Sequence, residues 1–96
     1  MKTLFIIYSG PDAHLVERLL DEHDAGGYTE VGPARGAGST GRREGTRAWP
    51  GESTVFMCVV PSERVASLSA ALVAARATLA PSERLHVAVL PTDSFI

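Results

Sequence analysis

At 96 residues the chain holds enough sequence for one domain with a real core, and it is small enough for association between copies to add to its stability. Its 45% apolar and 21% charged residues exclude a wholly disordered chain, and a net charge of −2 argues against the broad basic footprint of a nucleic-acid-binding domain. The lone cysteine, Cys58, excludes an intrachain disulfide and a cysteine-built zinc cage.

The apolar opening run, Thr3 to Tyr8, has the β-branched and aromatic content of a buried strand and closes at Ser9-Gly10-Pro11. Six apolar residues are too few for a signal h-region or a membrane span, so a cytoplasmic protein without membrane insertion is expected. A helix is predicted from Asp12. Ala13, Val16, Leu19 and Leu20 recur at helical spacing with Leu15 at the margin, and Gly26-Gly27 supply the stop. Tyr28 to Val31 reads as a weaker strand that continues irregularly through Pro33 toward Arg35.

Glycines at 36, 38, 41, 45 and 51 then predict a long connector with no regular element, at about 36–52. The segment Arg35 to Gly51 carries a local charge of +3, which leaves −5 for the remainder. Gly36, Gly38 and Gly41 spell G-x-G-x-x-G, and Gly36 to Arg43 mimics a Walker loop. Both motifs need a helix directly after them to hold phosphate on its N-terminus, whereas here the chain runs through Gly45 and Pro50 into another strand. Two readings of the loop survive: Arg35, Arg42, Arg43 and Arg47 make charge-assisted bonds to an anion, or they keep a solvated loop soluble. Trp49, the only tryptophan, precedes Pro50-Gly51 and is expected to anchor the loop's return leg on a sheet edge or a neighbouring subunit.

Thr54 to Val60 is an almost continuous apolar run, hence a central strand. Ser62 is placed to cap a second helix whose stripe is Val65, Leu68, Leu72, Ala75 and Leu79; after Pro81 comes a last strand, Leu85 to Leu90. The order βαββαβ predicts a single α+β domain over 1–96, a ferredoxin-like sandwich whose four-stranded antiparallel sheet carries two helices on one face. The uncovered face predicts self-association. His14, His23 and His86 fall on separate elements with no catalytic or metal-binding spacing, and Cys58 within its apolar strand reads as a small hydrophobe.

Gly27-Tyr28-Thr29, then "RGAG" at Arg35 to Gly38, then the glycine-rich excursion with "GTRAWPGES" returning through "VFMCVVPSERV", resemble the PII-like signalling proteins. The resemblance spans nearly the whole chain in element order. It implies a non-enzymatic homotrimer with the sheets packed inward, and a T-loop at about 36–52 that controls a target protein, a membrane transporter being one such target. It also implies an effector site in the clefts between subunits, usually for adenine nucleotides. Matched residue by residue, Thr29 and the backbone near Val60 would face an adenine, while Arg35, Gly36 and Gly38 would approach phosphate; Arg42, Arg43, Arg47 and Trp49 would belong to the partner-contacting loop. The family's T-G-x-x-G-x-G-K stretch has no counterpart in "ATLAPSERL", and its C-terminal Arg-x-Arg pair is missing. ADP, AMP or another anion is therefore the expected effector, rather than ATP gripped in the family's usual manner. The second reading is a CutA-like metal-binding trimer of the same protomer fold, for which His14, His23, His86 and Cys58 are the candidate ligands.

Overall fold

The computed structural model describes residues 1–38, 41–43 and 52–96. Alternation along the strands decides its layout. In β1 (Lys2–Ser9), Leu4, Ile6 and Tyr8 are buried while Thr3, Phe5 and Ile7 between them are only half-buried. A two-residue period with unequal burial is what a strand shows when only one of its faces is covered. β1 pairs antiparallel along its whole length with β5 (Ser53–Val60) on one side and β6 (Arg84–Pro91) on the other. The edge strand β2 (Thr29–Ala34) pairs with β5, completing a four-stranded sheet in the order β2-β5-β1-β6. The expected inner position of β5 is confirmed.

The registers place Leu4 beside Cys58, Ile6 between Phe56 and Val87, and Tyr8 beside Leu85, all on one face. Two helices cover that face. From α1 (His14–Glu22) come the buried Val16 and Leu20, and from α2 (Val65–Arg76) the buried Leu68, Leu72 and Ala75. Ala13, Leu15, Leu19 and Val65 pack at the margin of this cluster, and Leu79 joins them from the turn after α2, which ends at Arg76 and so short of the expected stripe. The fold is the α+β ferredoxin-like sandwich read from the element order.

The ends of both helices differ from expectation. α1 stops at Glu22, short of the glycine pair: the His23 N–H reaches the Leu19 carbonyl at 3.1 Å, and Asp24 at φ 55° turns the chain before Gly26 at φ 80° does so again. Aspartate tolerates the left-handed region because its short polar side chain adds little steric conflict. Arg64 holds this turn by donating from Nη1 to the Asp24 carbonyl at 2.5 Å. Ser62 is not a helix cap; it opens a single 3-10 turn (Ser62–Arg64) that leads into α2, with no side-chain capping bond.

The glycine-rich connector holds a regular element after all. β3 (Gly36–Gly38) and β4 (Gly41–Arg43) form a separate antiparallel ribbon, with Gly36 opposite Arg43 and Ala37 opposite Arg42. Ladder bonds use only backbone groups, so glycine weakens a ribbon through entropy without preventing its pairing. Between Val31 and Ala34 the β2–β5 register shifts, and Gly32 and Pro33 occupy the irregularity. Proline lacks the N–H that a regular ladder position needs, so an edge-strand bulge suits it.

At the sheet end where β1 stops, one polar network joins two loops. The buried Tyr8 hydroxyl donates to Glu83 Oε2 at 2.8 Å and accepts from the Asp12 N–H at 3.2 Å, while Glu83 Oε1 accepts from the Ala80 N–H at 3.0 Å. A Cβ at Gly10 would overlap the Tyr8 hydroxyl and ring, so this turn requires glycine. Burial is the main cause that pushes the Tyr8 phenol up to about 12, and the Glu83 carboxylate adds to it while the Asp12 N–H opposes.

Three outcomes follow for stability. Leu72→Ala should cost about 2–5 kcal/mol in chemical denaturation, by lost transfer energy plus the cavity. Val73→Ala, one residue on at a position 52% exposed, should cost little. Because the folded Tyr8 pKa lies above its unfolded value of about 10, the neutral phenol's contribution is fully present below pH 10 and is lost as pH rises through about 12. The stability advantage of wild type over Tyr8→Phe, about 1–3 kcal/mol at pH 7 from the lost carboxylate bond, should therefore shrink in denaturation curves recorded from pH 9 to 12.

Candidate functional site

The face of the sheet away from the helices carries Phe5 beside Met57 and Ala88, Ile7 beside Val55 and His86, and Thr3 beside Val59 and Leu90. Val31, on the edge strand, extends this surface beside Val55. Val31 is 50% and Leu90 46% exposed, so a contiguous apolar surface meets solvent in the single chain.

At the end of this face where β1 and β2 begin and β5 and β6 finish, the chain forms a cleft of about 540 Å³. That volume lies in the range of small-molecule sites. Thr3, Met57 and Val59 make its floor, Gly27-Tyr28-Thr29 one rim, and Phe95 of the C-terminal tail the opposite wall. Register explains the grouping: Thr29 opposes Met57, and Thr3 opposes Val59, so these side chains emerge on the same face. The Tyr28 ring turns away and packs against Phe56 in the core, with ring centroids 6.1 Å apart and planes tilted by 58°. The tail reaches the cleft because Thr92 is tied twice, its N–H to the Met1 carbonyl at 3.2 Å and its hydroxyl to that of Thr3 at 2.5 Å. Among the described residues no charged side chain lines the cleft. It can receive a flat or apolar group and offer it hydroxyl and backbone partners.

Of the residues singled out from sequence, Thr29 lines this cleft. Val60 does not: its side chain points to the helices and is buried in the core, leaving only backbone to meet a ligand, and its neighbours Cys58 and Val59 border the cleft instead. Burial pushes the Cys58 thiol up, which favours its protonated form. Arg35 is exposed one residue past β2, followed by Gly36 and Gly38 on β3 with Arg42 and Arg43 on β4. At about 3.3 Å per strand residue, Arg35 lies roughly 20 Å along the chain direction from Thr29. The structure thus separates the uncharged cleft from the basic ribbon, at opposite ends of β2. Arg47 and Trp49 lie outside the described residues. Phe95, Met57 and Val59 were not singled out by the sequence; strand parity points to Met57 and Val59 once the register is known, whereas no spacing signals where a tail residue folds back.

The histidines do not converge. His14 is exposed and paired with Glu17, Nδ1 to Oε1 3.1 Å, which raises the His14 pKa and lowers that of Glu17. The nearby Glu17 carboxyl pushes Glu30 on β2 up. His23 follows the end of α1, and His86 sits on the open sheet face. Among the described residues no group of three or more His, Cys, Asp and Glu could hold a metal ion, and no helix is long and apolar enough to cross a membrane.

Comparison with known proteins gives a consistent set of structural relatives. No family model matches the chain, and no curated protein does. Among solved structures, CPII, a nitrogen regulatory PII-like protein from Thiomonas intermedia K12 bound to ADP, AMP and bicarbonate, superposes with a TM-score of 0.69 at 27% identity, covering 93% of this chain and 86% of that one. CPII bound to ADP and bicarbonate gives 0.65 at 30% identity over 93% and 86% of the two chains, and a complex with ADP, AMP and acetate gives 0.63 at 27% over 93% and 84%. With the strand order, helical layer and nearly full-length similarity in agreement, the chain belongs to the PII-like family.

Proposed function

We propose that this protein is a non-enzymatic PII-like regulator that binds an adenine nucleotide of the AMP or ADP class and uses its T-loop-like segment, at about 36–52, to control a partner protein. The carrying observation is the uncharged cleft beside Thr29, at one end of a sheet whose other end bears the basic ribbon. The bound ADP and AMP of the similar CPII structures support the choice of effector. The base belongs in the cleft, where hydroxyl and backbone groups can read its edge. The phosphates belong with arginines, since charge-assisted bonds from Arg35 and its neighbours suit an anion. A span of about 20 Å between the two places asks for an extended ligand, or for a site whose ends come from different copies.

The second alternative agrees with the apolar face formed by Phe5, Ile7, Val31, Val55 and Leu90, which is expected to pack inward in a homotrimer. An effector held between subunits can act on the loop only through a difference in affinity between loop conformations. The target is a protein; a membrane transporter is the candidate supplied by the family resemblance.

Calorimetric titration of the wild-type protein with AMP, ADP and ATP, with and without bicarbonate, tests the effector directly. Saturable binding of AMP or ADP is expected, and absence of binding by every adenine nucleotide overturns the reading. Arg35→Ala should weaken AMP and ADP about tenfold while leaving adenosine unchanged, because it removes one charge-assisted bond to phosphate. Sedimentation equilibrium should give a trimer for wild type and a smaller species for Ile7→Glu, which places a charge in the middle of the apolar face. A stable wild-type monomer would remove the inter-subunit site.

A further inference from the structure

Phe95 is an unexplained residue in this architecture. It is 68% exposed and lies outside the core, yet it forms a wall of the cleft, whereas the adjoining Ile96 is fully in solvent and does not line it. Its placement is anchored locally by the two hydrogen bonds of Thr92, three residues earlier. The facing rim, Gly27 to Thr29, leads into β2, the outer strand of the sheet, whose backbone groups on the outward side have no ladder partner among the described residues. The floor between them is apolar, from Met57 and Val59.

An aromatic wall, an apolar floor and a strand edge with free donors and acceptors make the set of contacts that a planar heterocycle requires. Among the described residues a phosphate would find no cation there. We infer that Phe95 is the stacking platform of the effector site: its ring packs on the face of a nucleobase seated over Met57 and Val59, and so selects a flat, uncharged ring at this end of the ligand. The inference rests on the adenine-nucleotide reading and adds to it a residue that decides specificity. It assigns the C-terminal tail to recognition of the base, leaving the phosphates to arginines contributed by another copy. Base-on-aromatic stacking has a strength that alanine substitution reads as roughly a ten- to hundredfold change in affinity.

The test uses full-length protein and the fluorescent analogue 1,N6-etheno-AMP, whose emission is quenched when its base stacks on an aromatic ring, together with calorimetry of AMP and adenosine. Phe95→Leu keeps an apolar side chain without a π face, and Phe95→Trp keeps the π face. Wild type and Phe95→Trp should bind with quenching. Phe95→Ala and Phe95→Leu should lose the quenching and about tenfold or more in affinity, for AMP and adenosine alike, with unchanged sedimentation. Arg35→Ala, by contrast, should weaken AMP alone. Equal affinity and equal quenching in wild type and Phe95→Leu overturns the inference while leaving the nucleotide reading intact. Tighter binding by Phe95→Ala also overturns it, because the ring would then be an obstruction. Wild type that binds neither AMP nor ADP overturns the nucleotide reading itself, and the inference with it.

Discussion

A sheet has two faces, and this chain has helices enough for one. The even-numbered side chains of β1, Leu4, Ile6 and Tyr8, meet α1 and α2, and the odd-numbered Phe5 and Ile7 meet nothing comparable. Everything else in the molecule works within that constraint. The registers of β5 and β6 against β1 run unbroken for eight residues each, so apolar residues on these strands are sorted between the two faces by parity alone. A polar sequence at the odd positions would have made a self-sufficient monomer. The residues actually present, Val55, Met57 and Leu90 among them, leave a second hydrophobic layer that no described helix covers.

Much of this was legible in the sequence because burial has a period. Val16 with Leu20, and Leu68 with Leu72, announced their helices through spacing, and both pairs are buried. Cys58 was legible as a hydrophobe from its apolar neighbours. Boundaries were less legible because they depend on single hydrogen bonds. Asp24 at φ 55°, with the Ala25 N–H closing onto the Leu20 carbonyl at 3.0 Å, ends α1 ahead of the glycines, and Ser62 enters a 3-10 turn where a cap was expected. The ribbon at Gly36 to Arg43 was hidden for a different reason, since its pairing uses backbone and leaves no side-chain pattern.

The candidate site was readable only in part. Thr29 could be placed through the family resemblance, and it borders the cleft. Val60 could not be assigned a face without the register, and parity turns its side chain inward. Phe95 arrives through the ties of Thr92 to Met1 and Thr3, contacts that span almost the whole chain length and have no local signature. The charge asymmetry of the sequence, by contrast, acquires a spatial meaning. Arg35, Arg42 and Arg43 follow one end of β2 and the cleft lies beside the other, roughly 20 Å away.

The pairing of Ala34 with Ser53, and the buried hydroxyl bond of 2.6 Å between Ser53 and Ser9, have a consequence for how such proteins diversify. The chain leaves the sheet at one residue and re-enters it at a position directly across the ladder, roughly 5 Å away. Closing a loop over so short a gap costs entropy that grows only with the logarithm of its length, about 0.6 kcal/mol per doubling. The intervening segment is thus an exchangeable cassette: insertions, deletions and new sequences can be tried there against a nearly constant thermodynamic background. A protein built this way can change the sequence between Ala34 and Ser53 while the core goes on folding as before.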